Sequence, residues 1–154
     1  GDRRETIMKK KTVLFICVHN SARSQMAEAF LKSQGGEAFA VESAGLTPTR
    51  INPLVVEAMA EKGIDLSGAT TQSAFDLFRQ GRLFEYVITV CDDSKEQQCP
   101  VFPGLVHREH WPFADPAALT GTHEEKMSGV RRIRDEIEKA VQAFVARFGK
   151  ADAI

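Results

Sequence analysis

VLFICVHNSARSQMAEAFL, residues 13–31, is the stretch that decides the fold of this chain. It opens with a continuous apolar run that ends at Cys17, a pattern typical of a strand buried on both faces in a parallel sheet. A short polar loop follows, and the next residues predict a helix over 21–34, which Gly35 and Gly36 end. A buried strand that leads through a short loop into a helix predicts an α/β domain.

The loop carries residues suited to holding an oxyanion. Five residues separate Cys17 from Arg23, and Ser24 follows the arginine. This spacing lets the loop fold into a cup whose backbone N–H groups and helix N-terminus favour negative charge. Arg23 can close the cup with a two-pronged contact, and the same positive field favours the thiolate of Cys17, to which Ser24 can donate a hydrogen bond. The predicted oxyanion-binding residues are Val18, His19, Asn20, Ser21, Ala22, Arg23 and Ser24. The alternative is a core cysteine beside a surface arginine.

Length and composition fit one domain with a sizeable core. The chain has 154 residues and a formal net charge of −1, so no general attraction to nucleic acid or to an anionic membrane is expected. No apolar run has the length needed to span a bilayer, and no secretory signal is visible. Residues 1–10 are expected to be a flexible leader or a cloning remnant, and residues 11–150 the domain. We expect a monomer.

The three cysteines are an odd number in a chain without a visible export signal. This combination argues against a disulfide framework and favours chemistry or metal binding in the cytoplasm. No prosthetic cofactor is expected.

Further elements alternate along the chain. Strands are predicted over 39–43, 86–91 and 105–109, and helices after the cap Asn52 and over 74–80. Thr122 and Glu125 form a capping-box pair at the start of a long last helix, whose apolar stripe packs on the sheet. The charges between the stripe residues, among them Arg131 and Arg134, are expected to be solvated. The pattern predicts a single open, doubly wound sheet of four parallel strands with helices on both faces.

Two further cysteines bear on the cup. Cys91 ends a predicted strand as Cys17 does, and the carboxyl ends of parallel strands meet at one edge of the sheet. Cys99 follows on a polar segment, so Cys91 could attack a sulfur adduct on Cys17 and Cys99 could then attack Cys91 by thiol–disulfide exchange. The alternatives are two incidental small apolar residues, or zinc bound by the three cysteines and a histidine, although no Cys-x2-Cys pair is present.

A third candidate lies in EHWPFADP, residues 109–116. Asp115 follows the fourth predicted strand at the same edge, where a carboxylic acid could protonate an oxygen that leaves the bound oxyanion. Asp-Pro is also an ordinary turn signal. We expect Trp111 to serve packing, His19 to face solvent, and Asn20 to tolerate a left-handed backbone and bond across its own loop.

Together these motifs resemble those of arsenate reductases built on the low-molecular-weight protein tyrosine phosphatase fold. The resemblance runs from about residue 11 to 148 and is closest to the branch recharged by thioredoxin. It rests on CVHNSARSQMAE from Cys17, ESAG over 42–45, TVC with CP beyond it, and EHWxFxDP.

The resemblance implies a role for each candidate. Cys17 would attack arsenate while Arg23 and the loop amides hold it, Ser24 would stabilise the thiolate, and Asp115 would protonate the departing hydroxide. Cys91 would then attack the adduct, and Cys99 would present a 91–99 disulfide to thioredoxin. Two alternatives remain, a phosphatase using the same cup and a thiol-based oxyanion sensor without turnover. A glutathione- or mycothiol-linked reductant is the alternative to thioredoxin.

Overall fold

Four parallel strands form one sheet in the order β2-β1-β3-β4. The structure is a computed structural model, and it describes residues 10–91 and 98–149. The strands are β1 (Lys11–Cys17), β2 (Phe39–Gly45), β3 (Tyr86–Thr89) and β4 (His107–His110). Because β1 pairs with both β2 and β3, the central strand delivers Cys17 to the carboxyl edge of the sheet. The predicted four-stranded parallel sheet is confirmed.

Helices cover both faces of the sheet. They are α1 (Arg23–Gly35), α2 (Pro53–Ala60), α3 (Ala74–Arg79) and α4 (His123–Phe148), with short 3-10 turns at Gly36–Ala38 and Pro116–Ala118. Alternate residues of β1 divide the core. Phe15 packs with α1, α2 and α4 on one face, and Ile16 packs with α3 on the other.

The capping signals in the sequence set the helix starts. The Asn52 side chain accepts a hydrogen bond from the N–H of Leu54, 2.9 Å away, at the start of α2. At α4, the Thr122 hydroxyl and the Glu125 carboxylate each accept a hydrogen bond from the other residue's backbone N–H. The capping box predicted from sequence is therefore present.

Several predicted boundaries differ from the structure. Strand β2 extends to Gly45 rather than to residue 43, α1 ends at Gly35 rather than at residue 34, and α3 ends at Arg79 rather than at residue 80. The helix predicted from residue 21 begins at Arg23, because the carbonyl oxygen of Ser21 accepts from the N–H of Asn52 and not from the next helical turn. Strand β3 ends at Thr89 rather than at Cys91. Strand β4 covers His107–His110 rather than 105–109, since a turn at Gly104, with φ of 94°, leaves Leu105 fully exposed.

The expectation that the charged side chains of α4 are solvated is wrong for Arg134, which is only 7% exposed. Its guanidinium donates to the carbonyl oxygen of Ala58 and to the carboxylate of Glu61, both at 2.8 Å. A long side chain at the border of the apolar stripe can thus be buried by joining α4 to α2.

The predicted leader lies almost entirely outside the described residues. Within the described ranges, no helix combines the length and apolarity needed to cross a bilayer.

Candidate active site

The loop after β1 is shaped by hydrogen bonds on its outer side. The carbonyl oxygens of Cys17, Val18 and His19 accept from the N–H groups of residues 46, 47 and 49, and that of Ser21 accepts from Asn52. In a planar trans peptide, the N–H points opposite to the preceding carbonyl. Four carbonyls held outward therefore turn the N–H groups of residues 18, 19, 20 and 22 toward the interior of the cup.

Helix α1 completes this ring of donors. Its first-turn N–H groups have no acceptor within the helix, and among the described residues no side chain caps it at Ala22. The positive end of the helix dipole therefore faces the cup, where it favours an anion.

Asn20 is the loop's strained position and also its anchor. It is the one non-glycine residue with positive φ in the described ranges, at 54°, and it is fully buried. Its side-chain oxygen accepts a hydrogen bond from the N–H of Gln72 at 3.0 Å. Its own N–H lies 3.2 Å from the sulfur of Cys17. The outward His19 carbonyl thus turns the Asn20 N–H toward the thiol.

A hydrogen-bond chain fixes the direction in which the Ser24 hydroxyl points. The Ser43 hydroxyl has one proton and gives it to the Glu28 carboxylate, so it accepts from the Asn20 amide at 2.9 Å. The same amide donates to the Ser24 oxygen at 2.8 Å. The Ser24 proton is then left to donate to the Cys17 sulfur, 2.9 Å away. The Ser24 hydroxyl thus lies against the sulfur of the predicted nucleophile.

Arg23 links the cup to the loop that carries Asp115. It is 3% exposed, and its Nη1 donates to the carbonyl oxygen of Phe113 at 3.1 Å. Its Nη2 lies 3.8 Å from Asp115 Oδ2. The other Asp115 oxygen accepts from the N–H of Ala117 at 2.9 Å, so the aspartate both caps the Pro116–Ala118 turn and faces the cup. The turn predicted from the Asp-Pro pair is present, and the Asp115 carboxylate lies beside Arg23.

Cys91 lies at the same edge as Cys17. Both are buried in the same apolar cluster. A hydrogen bond from the Cys99 side chain lowers the pKa of Cys91 to about 7, with help from the charges of Arg23 and His110, although burial alone would raise it. Cys99 is partly exposed. All three cysteines are free thiols, and the two buried ones, Cys17 and Cys91, belong to one apolar cluster.

Several polar residues have supporting roles. His19 Nδ1 lies 3.1 Å from the Thr47 carbonyl oxygen, on the exposed outside of the cup. Trp111 packs between Phe15 and Phe144, as expected for a packing residue. Among the described residues, no cluster of three or more His, Cys, Asp or Glu side chains has the arrangement to hold a metal ion.

The sequence analysis did not assign roles to Gly45, Gln72 and Phe113, which contact the loop or Arg23 from segments distant in sequence. Gly45, at the end of β2, leaves the space into which the cup backbone fits, since a Cβ there would lie 2.7 Å from the N of Asn20. The Gly in the ESAG stretch was a signal, but its partner becomes visible only once β2 lies beside β1. The Gln72 N–H and the Phe113 carbonyl have no sequence signal, because any residue type supplies them.

We therefore expect Gly45→Ala to lower stability by about 2 kcal/mol and to weaken oxyanion binding, because the methyl group would force the cup backbone to shift. Thermal unfolding and phosphate titration by calorimetry check this. Gly68→Ala is the matched control, since nothing lies within 4 Å of a Cβ there. Equal behaviour of the two variants would contradict the role assigned to Gly45.

The fold and the cup define a class. The chain belongs to the family of low molecular weight phosphotyrosine protein phosphatases, whose sequence model matches residues 12–153. Within that class it is similar to an arsenate reductase of Bacillus licheniformis, with 44% identity over 138 residues, which are 89% of this chain and 96% of that protein.

Solved structures give the same grouping. An arsenate reductase in a phosphate-binding state superposes with a TM-score of 0.73 at 30% identity and covers 90% of this chain and 98% of its own. A thioredoxin-dependent arsenate reductase of Corynebacterium glutamicum gives a TM-score of 0.58 at 32% identity, over 88% of this chain and 63% of its own.

Proposed function

We propose that this protein reduces arsenate to arsenite through a relay of Cys17, Cys91 and Cys99, and that thioredoxin recharges it. The observation that carries the proposal is the combination of an anion cup around one buried thiol with two more thiols at the same sheet edge. The similarity to arsenate reductases, one of them thioredoxin-dependent, supports both the substrate and the reductant.

In the first step, the Cys17 thiolate attacks arsenic, and one arsenate oxygen leaves as water after Asp115 protonates it. The inward N–H groups and Arg23 hold the remaining oxygens, where fixed donors stabilise the charge that develops in the transition state. The product is a Cys17–arsenic(V) adduct, so no electrons have yet been transferred.

In the second step, the Cys91 thiolate attacks the Cys17 sulfur. The sulfur–arsenic bond breaks and its electron pair stays on arsenic, which leaves as arsenite, while Cys17 and Cys91 are oxidised to a disulfide. Cys99 then attacks Cys91, which frees Cys17 as thiolate and leaves a 91–99 disulfide. A dithiol protein reduces that disulfide and is itself oxidised. Because Cys99 is partly exposed, it suits this last exchange.

The pKa of Cys91 predicts the pH dependence of arsenite release. Since that pKa is lowered to about 7, the thiolate that performs the second step is lost as pH falls below 7, and the single-turnover rate should fall with it. Cys99→Ala removes the main cause of the shift and should raise the pKa of Cys91 back toward that of an ordinary thiol, which slows release at pH 7 roughly tenfold. Cys99→Ser keeps an O–H donor and is the matched control. Identical pH profiles of the wild type, Cys99→Ala and Cys99→Ser would contradict the conclusion that Cys99 lowers the pKa of Cys91.

The same cup and acid could also cleave phosphate esters, as the family description implies. Phosphate hydrolysis has no use for the two additional cysteines, which favours the reductase. Ala117 and Ala118 stand after the Asp-Pro pair, where an aromatic wall would suit a phosphotyrosine ring.

A coupled assay tests the proposal. With thioredoxin, thioredoxin reductase and NADPH, we expect arsenate to trigger NADPH oxidation and phosphotyrosine to give little hydrolysis. No arsenate-dependent oxidation with thioredoxin, but turnover with glutathione or mycothiol systems, would assign a different reductant. Turnover of phosphate esters alone would assign a phosphatase.

A further inference from the structure

Glu109, on the edge strand β4, joins three elements. Its Oε1 accepts from Trp111 Nε1 at 2.8 Å and from Arg147 Nη2 at 2.7 Å, while Oε2 lies 2.7 Å from His107 Nε2. Partial burial alone would raise the pKa of Glu109, but hydrogen bonds from Arg147, His107 and Trp111 lower it to about 2. The carboxylate is therefore charged throughout the physiological range and fixed by its three partners.

Trp111 connects this carboxylate to the active-site loop. Its ring packs on Phe15 of the central strand and on Phe113, with centroids 5.7 and 6.4 Å away. The Phe113 carbonyl is the acceptor for Arg23, and Asp115 follows two residues later. An indole whose N–H is tied to Glu109 can rotate less, so the backbone that leads to the acid has less freedom.

We propose that Glu109 is a positioning residue for the acid loop: by fixing the Trp111 indole, it holds residues 113–115 against Arg23 so that Asp115 faces the bound oxyanion. This inference rests on the proposed function, in which Asp115 is the acid. Arg147, near the end of α4, extends the support to the last helix, since it binds the same Glu109 oxygen as the indole.

Glu61 provides a matched comparison. Its pKa is likewise lowered to about 2, chiefly by hydrogen bonds from Arg131 and Arg134, and it also ties a neighbouring element to α4. None of its described contacts reaches Trp111 or the acid loop. If both carboxylates only stabilised the fold, removing either one would affect the rate of arsenite release equally. If Glu109 positions the acid loop, only its removal should lower that rate.

The test is single-turnover arsenite release by the reduced full chain, measured against arsenate concentration without thioredoxin. We expect Glu109→Ala and Trp111→Phe each to lower the maximal rate about tenfold, because a misplaced acid slows chemistry, while the half-saturating arsenate concentration changes less than twofold. Glu61→Ala should keep the wild-type rate. The double variant of Glu109 and Trp111 should be no slower than either single variant, since both remove one link.

The outcomes distinguish a failure of the positioning role of Glu109 from a failure of the proposed function. A wild-type rate in Glu109→Ala or Trp111→Phe, an equal loss in Glu61→Ala, or additive losses in the double variant would overturn the positioning role. If Glu109→Ala does not fold, Trp111→Phe decides alone: it removes the N–H together with the pyrrole half of the indole and leaves an aromatic ring between Phe15 and Phe144. An inactive wild type would overturn the proposed function instead.

Trp111 is also the chain's single tryptophan, which gives a readout independent of turnover. Phosphate titration should change its fluorescence in the wild type, and Glu109→Ala, which removes the acceptor of the indole N–H, should reduce that change while the phosphate affinity stays within twofold. An unchanged response in Glu109→Ala would contradict the link between the carboxylate and the cup.

Discussion

Replacing Cys17 by serine is expected to abolish arsenite release, with a fall of at least about 10³-fold. The serine hydroxyl fits the same space, but at neutral pH it is protonated, and an oxygen in this position cannot become one half of a disulfide. Both the attack on arsenic and the electron transfer therefore fail together. The measurement is arsenite formed per enzyme in the presence of thioredoxin, thioredoxin reductase and NADPH.

Phosphate binding provides the control for this variant. The cup N–H groups and Arg23 are unchanged in Cys17→Ser, so phosphate affinity should stay close to that of the wild type. Arsenite release by Cys17→Ser at a rate near wild type would place the nucleophile elsewhere.

Replacing Cys99 has the second largest expected effect. Both Cys99→Ala and Cys99→Ser should release at most one arsenite per enzyme in the same recycling system, because the 17–91 disulfide remains at a buried position. The two variants should differ in the rate of that first arsenite release, because only Cys99→Ser keeps a hydrogen-bond donor that lowers the pKa of Cys91. Continued cycling of either variant at the wild-type rate would show that the reductant reaches Cys91 directly.

Local sequence signals predicted much of the site. The apolar run of β1, the loop that follows and the capping box of α4 each depend on residues close in sequence, so their structures could be inferred from spacing alone. The placement of Cys17, Cys91 and Asp115 at one edge followed from a general property of parallel sheets, namely that the strands end together.

Contacts between distant elements could not be inferred in this way. Arg134 reads as an exposed charge until α2 brings the Ala58 carbonyl beside it. Gly45 reads as a loop residue until β2 pairs with β1 and its missing Cβ makes room for the cup. The partners of Glu109 lie on β4, the following loop and the end of α4, and only the folded chain brings them to one carboxylate.

The orientation of the Ser24 hydroxyl beside Cys17 also depends on contacts between segments that are distant in sequence. The Asn20 amide donates to the Ser24 and Ser43 hydroxyls, and its orientation is held by the Gln72 N–H, which its side-chain oxygen accepts. Because an amide nitrogen can only donate, Ser24 accepts from it and keeps its own proton available for the Cys17 sulfur. The contact that orients the Ser24 hydroxyl therefore comes from a segment distant in sequence.

Disulfide mapping after one turnover tests the relay most directly. Reduced wild-type protein is mixed with arsenate in the absence of any reductant, arsenite is counted, and the disulfides are mapped by mass spectrometry after alkylation. We predict one arsenite per enzyme, a disulfide between Cys91 and Cys99, and an alkylated Cys17. Arsenite without a disulfide that involves Cys91, or a fully reduced protein after arsenite has formed, would contradict the three-cysteine relay.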